Sequence, residues 1–295
     1  MTSHRRPMRI IAFGSIALLV LGLSAAAASP PVSPAPGISL APGISPAPGA
    51  SPAPSAAASY APIARLTWQT LSTRPHDTTA WTEGLLLDGN GELYESTGLV
   101  GQSTIRQVDP MTGAVIRSVA LPATLYGEGL ALVDDHFIQL TWKDGLALVW
   151  DAATLTQTGS FSYTGEGWGL CYDGGRLVMS DGSSTLSFRD PQTFAVVGTV
   201  GVTAQGQPVD QLNELECVNG AVWANVWETP WIVRIDPATG VITGALDTTG
   251  IITPDPSVAD AGAVLNGIAY DPVNDTFLLT GKRWPSMFEV RIGGG

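Results

Sequence analysis

The sequence predicts an all-β fold, a five-bladed β-propeller with four antiparallel strands per blade, and two observations carry that reading. A short polar and glycine phrase followed by an alternating apolar strand recurs five times: TEGLLLDGNGELYES from Thr82, GEGLALVDDHFIQLT from Gly127, GEGWGLCYDGGRLVMS from Gly165, LNELECVNGAVWANV from Leu212 and LNGIAYDPVNDTFLLT from Leu265. A turn phrase follows the first four (VDPMTG, WDAATL, RDPQTF, IDPATG), with Asp109, Asp151, Asp190 and Asp236 in register at spacings of 42, 39 and 46 residues. Several short strands and a turn in each unit of ~40 to 45 residues are the mark of a propeller blade, and no helical repeat fits as well.

The chain organises into three parts. Arg5, Arg6 and Arg9 precede an uncharged apolar run of 14 residues and then small residues, so 1–28 reads as a secretory signal peptide. The run is short for a membrane span of about 20 residues. The adjacent Arg5 and Arg6 also allow a twin-arginine export signal. Residues 29–62 hold ten prolines and no charge, in repeated phrases such as APGIS and SPAPG. Such a segment has too little bulky apolar surface to offset its ordering entropy and reads as an extended linker. Residues 63–295 form the propeller domain.

Within that domain the Asp-Pro-x-Thr phrases are turn chemistry, because Asp accepts from its own backbone two residues on and Pro presets φ. The last repeat supplies only three strands, so the segment RLTWQTL at 65–71 is expected to close the ring as its outer strand, since an exposed edge is a liability. Cys171 and Cys217 lie in apolar strand-like runs; the simpler reading is two buried core thiols, the other a single bridge.

The inner strand of every blade faces the axis, so the residues that open these strands converge on one mouth. They are Glu83, Glu128, Glu166, Asn213 with Glu214, and Asn266, beside Trp81, Tyr126 and Trp168. Carboxylates crowded together repel unless protonated, hydrogen-bonded or paired with a cation. Lys282, one of only two lysines in the chain, stands after the last strand FLLTG and is the candidate cation.

A formal net charge of −12, from 26 acidic and 14 basic side chains, argues against nucleic acid, which needs clustered basic residues. His76 and His136 sit in no zinc-binding or triad spacing, and no phosphate-binding glycine loop occurs. Two competing classes stay open on the residues alone. One is a Ca²⁺-dependent propeller lactonase or esterase using oxygen ligands; the other is a non-catalytic propeller binding peptide or sugar. Lys282 in the mouth favours proton-sharing carboxylates over a metal.

The phrases HDTTAWTEGL, LYESTGLVGQSTIRQVD, YGEGLAL, EGWGL, MSDGSSTL, LNELECVNGAVWANVW and LNGIAYDP followed by TGKRWPSMFEV resemble the plant and bacterial glutaminyl-peptide cyclotransferases, from about residue 76 to 290. That resemblance implies a five-bladed propeller that converts N-terminal glutamine of peptides and proteins to pyroglutamate with release of ammonia, without metal or other cofactor. By motif it implies catalytic roles for Glu128, Asn213 and Lys282, and a substrate pocket of Trp81, Glu83, Tyr126, Trp142, Trp168 and Trp227. Relatives often carry Phe at the positions of Trp81 and Tyr126, and Gln at that of Glu83. The expected partner is a peptide with N-terminal glutamine, bound by a monomer exported to the periplasm, cell envelope or medium, with no membrane contact beyond the export signal.

Overall fold

The computed structural model describes residues 60–252 and 262–294. The signal segment, and the linker as far as residue 59, lie outside the described residues. Strand β1 (Ala64–Pro75) is followed by a first sheet of β2 (Thr82–Leu87), β3 (Leu93–Thr97), β4 (Thr104–Val108) and β5 (Val115–Ala120). The second sheet holds β6 (Gly127–Val133), β7 (His136–Thr141), β8 (Leu146–Asp151) and β9 (Gln157–Ser162), and the third β10 (Leu170–Tyr172), β11 (Leu177–Met179), β12 (Thr185–Arg189) and β13 (Val196–Gly201). After a two-residue ribbon, β14 (Thr203–Ala204) with β15 (Gln207–Pro208), come β16 (Leu212–Val218), β17 (Ala221–Val226), β18 (Trp231–Ile235) and β19 (Ile242–Asp247), then β20 (Leu265–Asp271), β21 (Thr276–Gly281) and β22 (Ser286–Gly293). No helix occurs among the described residues.

The first three sheets are simple antiparallel four-strand meanders. The remaining strands form one eight-stranded sheet in the order β16-β17-β18-β19-β1-β22-β21-β20. Strand β1 makes the join. Its first residues pair parallel with β19, Ala64 opposite Gly244, and the rest pairs antiparallel with β22, Thr67 opposite Gly293 through Pro75 opposite Ser286. The expected closing strand is therefore present and longer than 65–71. It covers the edge of the last three-stranded repeat with a strand from the other end of the domain.

The apolar core is divided among the gaps between neighbouring sheets. Tyr94 and Ile105 meet Phe137 and Trp150; Ile138 and Leu140 meet Leu177 and Met179; Val178 and Phe188 meet Leu215 and Val222; Trp223 and Leu246 meet Ile268 and Phe277; and Ala269 and Leu278 meet Leu85 and Leu93. Successive residues of one strand serve opposite gaps: Leu130 packs toward the first sheet and Ala131 toward the third. With both faces covered, the inner strands are buried almost throughout, so runs such as GLLL and GLALV are near-continuous where the sequence reading expected alternation. Each fully buried Leu or Phe contributes about 1.5–3 kcal/mol.

The Asp turns behave as read. Asp109 accepts from the N–H groups of Met111 and Thr112 at 2.8 and 2.9 Å, and Asp190 from Gln192 and Thr193 at 3.0 and 2.8 Å. The cysteine expectation is corrected, because Cys171 on β10 and Cys217 on β16 form a disulfide. They are 46 residues apart, yet their strands pack side by side, a proximity no local pattern reveals. Among the described residues no helix is long and apolar enough to cross a membrane.

Candidate active site

Four inner strands begin with a register shift, and the shift is what aims the site residues. The pairing breaks between Thr82 and Gly84 on β2, Gly127 and Leu130 on β6, Leu212 and Leu215 on β16, and Leu265 and Ile268 on β20. A bulge leaves its extra residue out of the ladder and bends the strand, re-aiming the side chain. Glu83, Glu128, Asn213 and Asn266 are the residues so freed, each second in its strand. The aromatic walls come from the flanking loops: Trp81, Tyr126 and Trp168 precede inner strands, while Trp142, Trp227 and Lys282 follow second strands. Backbone bonds tie the two sets together, from Trp142 N to Tyr126 O (3.0 Å), Trp227 N to Gln211 O (2.8 Å) and Lys282 N to Val264 O (2.9 Å).

All nine residues singled out from the sequence line one cavity of about 170 Å³, together with Glu228, Gly262 and Val264. At its floor Lys282 Nζ lies 2.8 Å from both oxygens of Glu83, so one ammonium spans the carboxylate. Tyr126 donates its hydroxyl to Glu83 Oε1 at 2.8 Å, and Asn266 donates to Oε2 at 3.2 Å. Glu128 is buried beside this pair and shares a hydrogen bond with Glu83. Its own strand is fixed by Ser96, whose hydroxyl donates to the Glu128 carbonyl.

Charge counting explains the electrostatics. Two carboxyls face one ammonium, and all three are buried. Burial raises the pKa of Glu83, opposed chiefly by Lys282; burial also raises that of Glu128, and there the Glu83 charge adds to the effect. Glu83, held on both oxygens, is the ionised member, and Glu128 holds the proton. Burial and the neighbouring Glu83 likewise keep the Tyr126 phenol far above its ordinary range. Asn213 is buried with Oδ1 lacking a partner among the described residues, so it enters the cavity with an acceptor to spare beside its amide N–H groups.

Of the six polar residues expected at the mouth, Glu83, Glu128 and Asn213 line the cavity, Asn266 backs it through its bond to Glu83, and Glu214 and Glu166 do not line it. Glu214 lies off the cavity, its oxygens accepting from Leu85 N at 3.3 Å and Ile268 N at 2.8 Å, a tie between β16, β2 and β20. Glu166 stays at the rim, half-buried, bonded to indoles. Sequence reasoning missed Glu228, Gly262 and Val264. It also missed how the walls are seated: a Cβ at Gly262 would collide with the Trp81 ring, one at Gly98 with Tyr126, and one at Gly182 with Trp168. The only signal for these contacts is a glycine in a turn, which by itself has many explanations.

The family model for glutamine cyclotransferase matches residues 46–292. The chain belongs to the glutamine cyclotransferase family. It is 40% identical over 223 residues to a glutaminyl-peptide cyclotransferase of Arabidopsis thaliana, a match covering 74% of this chain and 69% of the relative. The crystal structure of Myxococcus xanthus glutaminyl cyclase superposes with a TM-score of 0.72 at 38% identity, covering 79% of this chain and all of that one. The similarity spans every sheet that contributes a cavity residue.

Proposed function

We propose that the Glu83–Glu128–Lys282 cluster is the proton-handling centre of a glutaminyl-peptide cyclotransferase, which converts the N-terminal glutamine of a peptide or protein to pyroglutamate and releases ammonia. The observation that carries the reading is a buried carboxylic acid held protonated by a second, lysine-bound carboxylate, inside an aromatic cavity. At about 170 Å³ the cavity is below the ~300–1,000 Å³ of drug-sized pockets, a size for one residue with the chain leaving through the mouth.

The reaction forms one C–N bond and breaks another in the same molecule, so fixing a folded glutamine conformer supplies most of the entropic advantage. The α-nitrogen attacks the side-chain carboxamide carbon, the carbonyl oxygen gains negative charge, and the carboxamide nitrogen departs as ammonia. The attacking nitrogen must lose a proton and the departing one must gain a proton. Glu128 performs both transfers: as the acid it gives its proton to the departing nitrogen as the C–N bond breaks, and as the resulting carboxylate it takes one from the attacking nitrogen, so it ends protonated as it began. Lys282 spends two N–H groups on Glu83 and has a third for the carboxamide oxygen; Asn213 is the second donor there. Glu83 keeps Lys282 in place and offers charge to the substrate ammonium. Trp81, Tyr126, Trp142, Trp168 and Trp227 enclose the side chain and exclude water.

The decisive experiment measures ammonia release from a Gln-initiated dipeptide with and without exhaustive chelation. Turnover unchanged by EDTA supports this reading. Turnover lost and restored by Ca²⁺ transfers the fold to the metal-dependent class, against which stands the ammonium already seated on Glu83. The same reading includes a five-bladed ring, supported by inner strands that pack in the cyclic order β2, β6, β10, β16, β20. It includes export to an oxidising compartment, for which the Cys171–Cys217 bridge is the support beside the N-terminal sequence.

A further inference from the structure

Glu166 is a rim acid that the chemistry above leaves unused, and its contacts are specific. Its Oε2 accepts two indole N–H groups, from Trp142 at 2.7 Å and from Trp168 at 3.0 Å. Trp142 follows β7 of the second sheet, and Trp168 precedes β10 of the third. Each indole also belongs to an aromatic pair: Trp142 tilts against Tyr126 with ring centroids 5.5 Å apart, and Trp168 meets Trp227 edge-on at 5.5 Å. The Glu166 carboxylate joins these two pairs into a single belt running Tyr126, Trp142, Trp168, Trp227 around the cavity.

The rim side of the same carboxylate faces a cation. Lys143 Nζ approaches Glu166 Oε1 at 3.4 Å and lies 3.7 Å from the centroid of the Trp142 ring. One oxygen is thus given to the two indoles and the other to the lysine. Indole N–H donors bonded to an ionised acceptor are held more firmly than those bonded to neutral groups. Glu166 itself is half-buried and belongs to none of the apolar clusters between the sheets, so its loss leaves the sheets intact.

We propose that Glu166 is a positioning residue for substrate binding, a clamp that orients Trp142 and Trp168 and so sets the width of the aromatic belt around the glutamine side chain. It transfers no proton and touches no reacting atom. The walls it orients contact the methylene groups, which change little between bound substrate and transition state. Loss of the clamp therefore removes uniform binding and appears in KM rather than kcat.

The assay half of the test rests on the cyclotransferase reading, and the spectroscopic half does not. Glu166→Ala and Glu166→Gln are compared with the parent chain, using ammonia release from a Gln-initiated dipeptide and the near-ultraviolet circular dichroism and indole fluorescence of the free enzyme. Glu166→Ala should raise KM about tenfold, the effect of losing charge-assisted hydrogen bonds, with kcat within about threefold and an altered indole signal. Glu166→Gln keeps an oxygen that can accept both indoles and should recover most of the KM and the parental spectrum. An unchanged KM in Glu166→Ala, a kcat loss at constant KM, or a Gln variant as impaired as the Ala variant overturns the clamp. If the parent chain releases no ammonia, the functional reading fails instead, while an indole signal unchanged in Glu166→Ala still overturns the clamp.

Discussion

Two charge clusters meet at β2, and they are built to opposite ends. In one, His76, Asp77, Glu95 and Arg106 balance two cations against two carboxylates. Arg106 reaches Glu95 at 2.6 Å and Asp77 at 2.8 Å, and His76 Nε2 meets Glu95 Oε1 at 3.1 Å. The other ring nitrogen, Nδ1, faces the Trp284 carbonyl at 2.7 Å. Since both nitrogens face acceptors, both carry a proton, and the ring is an imidazolium. In the other cluster Glu83 and Glu128 share only Lys282. Adjacent residues of β2 serve the two sites: Thr82 donates to Glu95 at 2.6 Å, while Glu83 turns to the cavity.

The proton affinities follow the balance. Against the cost of burial, His76 and Arg106 hold Glu95 down at about 2; the same burial, set against too little positive charge, leaves Glu83 and Glu128 raised. Full compensation makes an inert brace, and under-compensation makes a group that keeps its proton above the ordinary carboxylate range. The brace also locates the site, because His76 holds the Trp284 and Pro285 carbonyls of the turn that follows Lys282.

The sharpest way to break this contrast is Glu128→Gln. Removing the proton donor while keeping shape should lower kcat by about 10² to 10⁴ with little change in KM and no loss of fold, measured by ammonia release and circular dichroism. Parental turnover in this variant would move the shuttle to another group.

Glu95→Gln attacks the brace instead. Breaking a buried ion pair costs about 3–5 kcal/mol, seen as a lower urea midpoint. The pH dependence carries the same sign information. Glu95, with its lowered pKa, contributes stability above the ordinary carboxylate range that is lost as pH falls toward about 2. The imidazolium, with a raised pKa, contributes fully below about 6.5 and is lost as pH rises through its higher folded value. A Glu95→Gln variant as stable as the parent at pH 6 would refute the division between brace and site.

A carboxyl further along β16 extends the rule beyond both clusters. Glu216 accepts from Tyr270 N at 3.0 Å without a cation, and burial pushes it up to about 8. The folded state then binds its proton more tightly than the unfolded chain, so stability declines as pH rises from the ordinary carboxylate range to about 8. Part of the side chain reaches solvent, which reduces the effect. Glu216→Gln should raise the melting temperature by roughly 4 °C at pH 9, about 1 to 2 kcal/mol, and leave it unchanged at pH 4. An equal gain at both pH values would assign the effect to packing.

Glu83→Gln is expected to be mildest in activity. It keeps an oxygen for Tyr126 and removes the charge that raises Glu128, so turnover at pH 8 should stay within about tenfold while the acid limb of the kcat/KM profile moves to lower pH. A dead variant with an unmoved limb would place the proton transfer on the first sheet.

Much of the site was legible because the repeated sheets repeat their geometry. The same strand opening in each repeat put Glu83, Glu128, Asn213 and Asn266 at one place, and the rarity of lysine drew attention to Lys282. The role of Glu166 was not legible, since an acid in GEGWGL has the same letters whether it enters the cavity or caps two indoles at the rim. Nor was the disulfide, since Cys171 and Cys217 look like ordinary core residues until their strands are set side by side.

Local chemistry and periodicity are properties of the chain, and the sequence alone determined what depends on them: the all-β repeat, the Asp turns, the closing strand at the N-terminal edge and the strand openings that carry Glu83, Glu128, Asn213 and Asn266. Protonation and partnership depend on distances between segments far apart in the chain, such as Lys282 and Glu83, 199 residues apart. Only the tertiary structure decided which carboxylate is paired, which keeps its proton and which merely braces, because burial and opposing charge act through space and leave no trace in sequence spacing.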